Sequence, residues 1–83
     1  NRLIDLIIGC MWIHAEVASI QQGALGALSK ATINKSTNVV MQITTQDIDA
    51  IINAMRMHVT SKDVQENAVI LLRSLTFCHD NVI

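Results

Sequence analysis

The chain has no proline and no tyrosine, and only one tryptophan, one phenylalanine, three glycines and two cysteines in 83 residues. Without proline, no position is forced to break a helix. The two cysteines, Cys10 and Cys78, cannot build the several bridges that staple small secreted domains. A reducing, intracellular and cytoplasmic setting is therefore expected. Six Lys and Arg against seven Asp and Glu leave a net charge of −1. The basic residues are scattered, so no patch or stripe is available for a phosphate backbone, and no nucleic-acid partner is expected. Long apolar runs are also missing. The best one, Leu3 to Ile13, carries Asp5 and is too short for a membrane span. No signal-peptide pattern is visible. Neither a phosphate-binding glycine loop nor a G-x-S-x-G elbow occurs, and no cofactor is expected.

What is present is a repeat. Residues 4–14 read IDLIIGCMWIH and residues 48–58 read IDAIINAMRMH, a displacement of 44 positions. The register persists through Gln21/Gln65, Ala24/Ala68, Leu28/Leu72 and Thr32/Thr76. With Ile4/Ile48, Asp5/Asp49, Ile7/Ile51, Ile8/Ile52, Met11/Met55 and His14/His58, that makes ten identities in 29 ungapped positions. A period of this length is the mark of stacked units, each burying its apolar face against its neighbours. Hydrophobic residues make up 51% of the chain. That is more apolar surface than so short a domain hides comfortably. The chain is therefore expected to be a piece of a longer array or to assemble with copies of itself, and Asn1 rather than Met at its start favours a fragment or a processed product.

Apolar residues recur at helical spacing, so the fold class is all-α. Ile48, Ile51, Ile52, Met55 and Val59 form one stripe, with Asp49, Asn53 and Arg56 opposite. Thr44 three residues before Asp47 has the spacing of a capping box, with Ile43 and Ile48 as its hydrophobic staple. The same device is expected at Thr60 and Asp63, flanked by Val59 and Val64. The next stripe, Val64, Ala68, Leu71, Leu72 and Leu75, is widened by Val69 and Ile70, which predicts burial on several sides. The first half mirrors this with Ile4, Ile7, Ile8 and Met11, then Ile20, Ala24, Ala27, Leu28 and Ala31. Gly23 and Gly26 within that second stripe each cost about 1 kcal/mol relative to Ala, so a close neighbour is expected there. Helices are predicted at 2–14, 17–32, 38–43, 45–58 and 61–78. The units run 1–36 and 37–79, with the start of a third at 80–83.

A short helix opening with Asn, then I-x-x-I-I-x-x-M-x-x-H, then V-Q-E-x-A-x-x-L-L-x-x-L, resembles the armadillo and HEAT class of α-solenoid. It is most similar to a divergent armadillo-like branch with "AM-x-x-H…VQE" in each unit. The resemblance covers nearly the whole chain and implies about two three-helix repeats. It further implies a non-catalytic scaffold that binds an extended peptide or partner protein along the concave face lined by the third helices. The partner-contacting positions it points to are Gln22, Gly26 and Lys30 in the first unit and Glu66, Ile70 and Ser74 in the second. Import receptors of this family place a Trp–Asn pair where this chain has Gly26 and Lys30, and again where it has Ile70 and Ser74. A basic import signal is therefore not the implied cargo.

Other candidate residues have a plainer reading. Cys10, His14, Cys78 and His79 could be drawn as a zinc set, but no C-x-x-C spacing occurs and both cysteines read as small buried hydrophobes. No metal site and no catalytic residue is assigned. His14 and His58 obey the repeat, as expected of residues that cap the ends of their helices. Asp5 and Asp49 lie near helix starts, where carboxylates complement the dipole. Trp12 is matched by Arg56, and its ring is either an exposed contact anchor or a half-buried edge. Self-association is expected through exposed repeat ends, Leu3, Ile7 and Met11 at one and Leu71, Leu75 and Ile83 at the other. The alternative function is a small obligate homo-oligomer with a structural assembly role.

Overall fold

The computed structural model describes residues 2–34 and 43–82, with side chains at 2–32 and 43–76. All of the regular structure there is helical: α1 (Arg2–Ile13), α2 (Ala18–Asn34), α3 (Thr45–Met57) and α4 (Lys62–Val82). The short helix expected at 38–43 falls almost wholly outside the described residues. The helix expected to end at 78 continues through Val82. From Lys62 onward there is neither Gly nor Pro, so nothing in the sequence stops propagation.

Local chemistry sets the helix starts. Thr44 is extended (φ −98°, ψ 171°) and forms the complete capping box before α3. Its backbone N–H donates to the Asp47 carboxylate at 3.0 Å, and the Asp47 N–H donates to the Thr44 hydroxyl at 3.3 Å. Two orphan donors are thus satisfied. The second box expected at Thr60 and Asp63 is instead a single cap one residue later. Ser61 Oγ accepts from the Val64 N–H at 3.3 Å. Thr60 sits inside the turn that closes α3, so the next residue becomes the cap.

The helix ends are closed in a way the stripes did not reveal. Helices often finish on a left-handed glycine whose N–H groups satisfy the last carbonyls. Among the described residues no glycine has positive φ, nor does any other residue. A glutamine amide does the work instead. Gln21 Nε2 donates to Met11 O at 3.2 Å and to His14 O at 2.9 Å. Gln65 Nε2 donates to Met55 O at 3.0 Å and to His58 O at 2.9 Å. Both hydrogens of each amide are used, and every partner is displaced by 44 residues. The backbone turn repeats too. Val17 N–H donates to His14 O and Ser61 N–H to His58 O, each at 3.0 Å.

The first helix pair packs on the second. α2 against α4 is the most extensive contact, and α1 also meets α3. The core comprises Ile4, Ile8, Met11, Leu25 and Leu28 from the first pair. Ala50, Ile51, Ala54, Val64, Ala68, Leu71 and Leu75 come from the second. Burial does not follow the 44-residue register as the stripes suggested. Ile8 is buried but Ile52 is exposed, and Leu28 is buried where Leu72 is only half-buried. The two pairs meet through opposite faces, so equivalent residues sit on different sides of the contact. For the same reason Met11, Leu71 and Leu75 belong to the core rather than to free ends, while Val69 and Ile70 are exposed. Ile83 lies outside the described residues.

Candidate functional site

α2 and α4 carry the six positions implied for partner contact, along rows spaced four residues apart. Gln22, Lys30, Glu66 and Ile70 are exposed, and Gly26 and Ser74 are half-buried. Asn67 ties the rows together. Its Nδ2 donates to Gln22 O at 3.2 Å, and its own carbonyl accepts from Ser29 Oγ at 3.4 Å. The same amide nitrogen stands 3.9 Å from where a Cβ on Gly26 would lie. Because Asn67 follows Glu66 and lies one turn before Ile70, the rows 22/26/30 and 66/70/74 flank one seam between α2 and α4. Glu66 pairs with Lys62 at 3.8 Å, with both side chains largely in solvent. Such an exposed pair is weak and leaves Glu66 free to exchange partners.

Gly26 does not serve the close packing expected of it. A Cβ there would meet only ordinary van der Waals contact, and at Gly23 it would meet nothing within 4 Å. Neither glycine is required by a neighbour in this fold.

A second feature lies at the turn between α1 and α2. An open depression of about 510 Å³ is lined by Trp12, His14, Glu16, Val17 and Met57, among others. Trp12 is about half in solvent, and Ile13, Val17 and Met57 are also exposed. The sequence left the Trp12 ring open between anchor and edge. Its position beside three other exposed apolar residues makes it part of a patch.

His58 is the C-cap of α3, its backbone N–H donating to Ala54 O at 3.1 Å, and the His14 N–H makes the equivalent bond to Cys10 O at 2.9 Å, but the His58 ring does not bond the carbonyls of its own helix. His58 Nε2 lies 2.7 Å from Ala15 O, in the turn of the first helix pair. A carbonyl can only accept, so Nε2 carries the proton in this bond. The last carbonyls of α3 are already bonded to Gln65, which frees the ring to reach across. His14, its counterpart, is exposed. Cys10 is also exposed rather than buried. The side chains of Cys78 and His79 lie outside the described residues. Among those that are described, no three His, Cys, Asp or Glu side chains converge on a point that could hold a metal ion. No helix is long and apolar enough to cross a membrane, among the described residues.

Two functional-looking signals were missed in sequence. Gln21 and Gln65 were visible as a repeated identity, but nothing in a stripe says where an amide points. Asn67 carried no signal at all, since its counterpart is Gly23. Comparison with protein-family models, with curated proteins and with solved structures gives no match for this chain.

Proposed function

We propose that the chain is a non-catalytic α-solenoid scaffold of about two armadillo-like units that binds an extended peptide or partner protein along the α2–α4 seam. The observation that carries this reading is the repeated glutamine latch. The same amide closes the same helix end twice, 44 residues apart, on two helix pairs packed side by side. Stacked units of this kind present long surfaces built from one helix per unit. His58 bonds a backbone carbonyl and Asp47 completes a cap.

The seam offers an apolar step at Ile70, one cation at Lys30 and one anion at Glu66. A near-neutral surface of that kind suits an extended peptide held by backbone hydrogen bonds and a few side-chain pockets, with weak salt dependence. The test uses peptides selected on the chain from a random displayed library. Changing Lys30 and Glu66 to Ala together should weaken the selected peptides while leaving the helical signal intact. Unchanged affinity would move the site to the depression beside Trp12.

A further inference from the structure

Each helix pair has one face closed by its neighbour and one face open. The 44-residue register shows what the open faces are equivalent to. Leu6 is 61% exposed where Ala50 is 2% exposed, and Cys10 is exposed where Ala54 is fully covered. These residues of α1 therefore occupy the positions through which the second pair grips the first. At the other end, Ile52 is 37% exposed where Ile8 is 7%, and Val69 is 47% exposed where Leu25 is fully covered. These residues of α3 and α4 occupy the positions through which the first pair grips the second. The open ends are thus the two halves of an interface already formed once inside the chain.

Their chemistry agrees with that assignment. The buried described residues, polar ones included, have counterparts that are uncharged at every position except Arg73. A solvated helix face would carry charge at several of them. The exception has a counterpart of its own. Arg73 stands where Ser29 donates to the backbone of Asn67, and Gly23 stands where Asn67 stands. A longer donor would meet a residue with no side chain in its way. The histidine bond also has a successor. His58 reaches Ala15 O, so by register His14 would reach the carbonyl of Val59.

We propose that copies of this chain stack head to tail, the α1–α2 face of one on the α3–α4 face of the next, by the geometry that joins the two helix pairs within it. The occupant of each open face is a second copy. The template that the described residues contain is heterologous, pairing unlike faces, and such contacts extend rather than close as a symmetric dimer. Stacking would bury Cys10, cover Leu6 and Ile52, and bring His14 to a backbone acceptor. Ala27 and Ala31 stand where Leu71 and Leu75 fill the internal contact, so the joint between copies is the flatter and weaker of the two. This inference rests on the repeat geometry, and neither Lys30 nor Glu66 takes part in it.

The test is sedimentation of the 83-residue chain beside Leu6→Glu and Ile52→Glu, both at exposed positions, with helicity checked by circular dichroism. The average mass of the unmodified chain should rise with concentration past that of a dimer. Each variant alone should lose this association, because every joint needs one intact head and one intact tail. An equimolar mixture of the two variants should recover a dimer and go no further. In a Cys78→Ser background, alkylation of Cys10 should slow as the chain assembles, and Leu6→Glu should abolish that protection. A chain that stays monomeric at all concentrations overturns the proposal. So does a variant that still self-associates like the parent, as a symmetric dimer through the opposite face would, or a mixture that forms no complex.

Discussion

Replacing Gln21 and Gln65 separately by Met tests whether the latch stabilises the helix ends, and by how much. Methionine nearly matches glutamine in length and volume, so no large cavity is opened and the packing term stays small. What is removed is a pair of hydrogen bonds in each case. At Gln21 these run to Met11 O and His14 O, and the side chain is only 1% exposed. Each bond contributes about 1 kcal/mol net, and a carbonyl left buried without a donor costs about 1–3 kcal/mol more. With two bonds lost and the Met11 carbonyl left buried, Gln21→Met should therefore cost about 3–5 kcal/mol. For 83 residues the whole stability is roughly 4–12 kcal/mol, so the variant should still fold but lose much of its margin. Gln65 makes the same two bonds but is half-buried, since among the described residues no further helix pair covers α3 and α4. Water can reach Met55 O and His58 O once the amide is gone. Gln65→Met should cost about 2 kcal/mol, the net value of two bonds that water replaces. Urea unfolding, followed by far-ultraviolet circular dichroism and Trp12 fluorescence at low chain concentration, measures both. Two variants equal in cost, or Gln21→Met within about 0.5 kcal/mol of the parent, would refute the reasoning. In concentrated, stacked chain the gap between the two should narrow, because the joint covers Gln65.

Thr44→Ala removes one half of the capping box and should cost about 0.5–2 kcal/mol in the same urea experiment. Gly23→Ala should stabilise the chain by about 0.5–1 kcal/mol, since the added Cβ meets open space and the helix gains propensity; a loss instead would mean a neighbour approaches this face. Leu28→Ala should cost about 2–5 kcal/mol and Leu72→Ala clearly less, although the two share a repeat position, because only Leu28 is covered. His58→Ala should destabilise the unassociated chain while His14→Ala leaves it unchanged, which thermal unfolding of the two variants would show. In the stacked form both should matter.

Much of this protein was legible in its residues because the information is local or periodic. The capping box at Thr44 depends on four consecutive positions, and its two hydrogen bonds form as the spacing predicts. The helical stripes of Ile4, Ile8 and Met11 and of Val64, Ala68 and Leu71 need only the 3.6-residue period to mark an apolar face. The sequence also shows, through the 44-residue register, that one structural unit is used twice. Three things were out of its reach. A stripe says that a face is apolar, not which neighbour covers it, so Ile52 and Ile8 looked alike until the packing of the second pair on the first separated them. Nor does residue identity give the direction of a long polar side chain. Gln21 turns back onto the end of α1, and His58 turns away from its own helix toward Ala15, because hydrogen bonds across the fold fix those directions. Asn67 bridges α2 and α4 without any repeated signal, since its role exists only where two different residues, Gln22 and Ser29, come within reach. Periodicity is a property of one helix and is written in its sequence. Coverage and hydrogen-bond partnership belong to pairs of helices, and only the tertiary structure decides them.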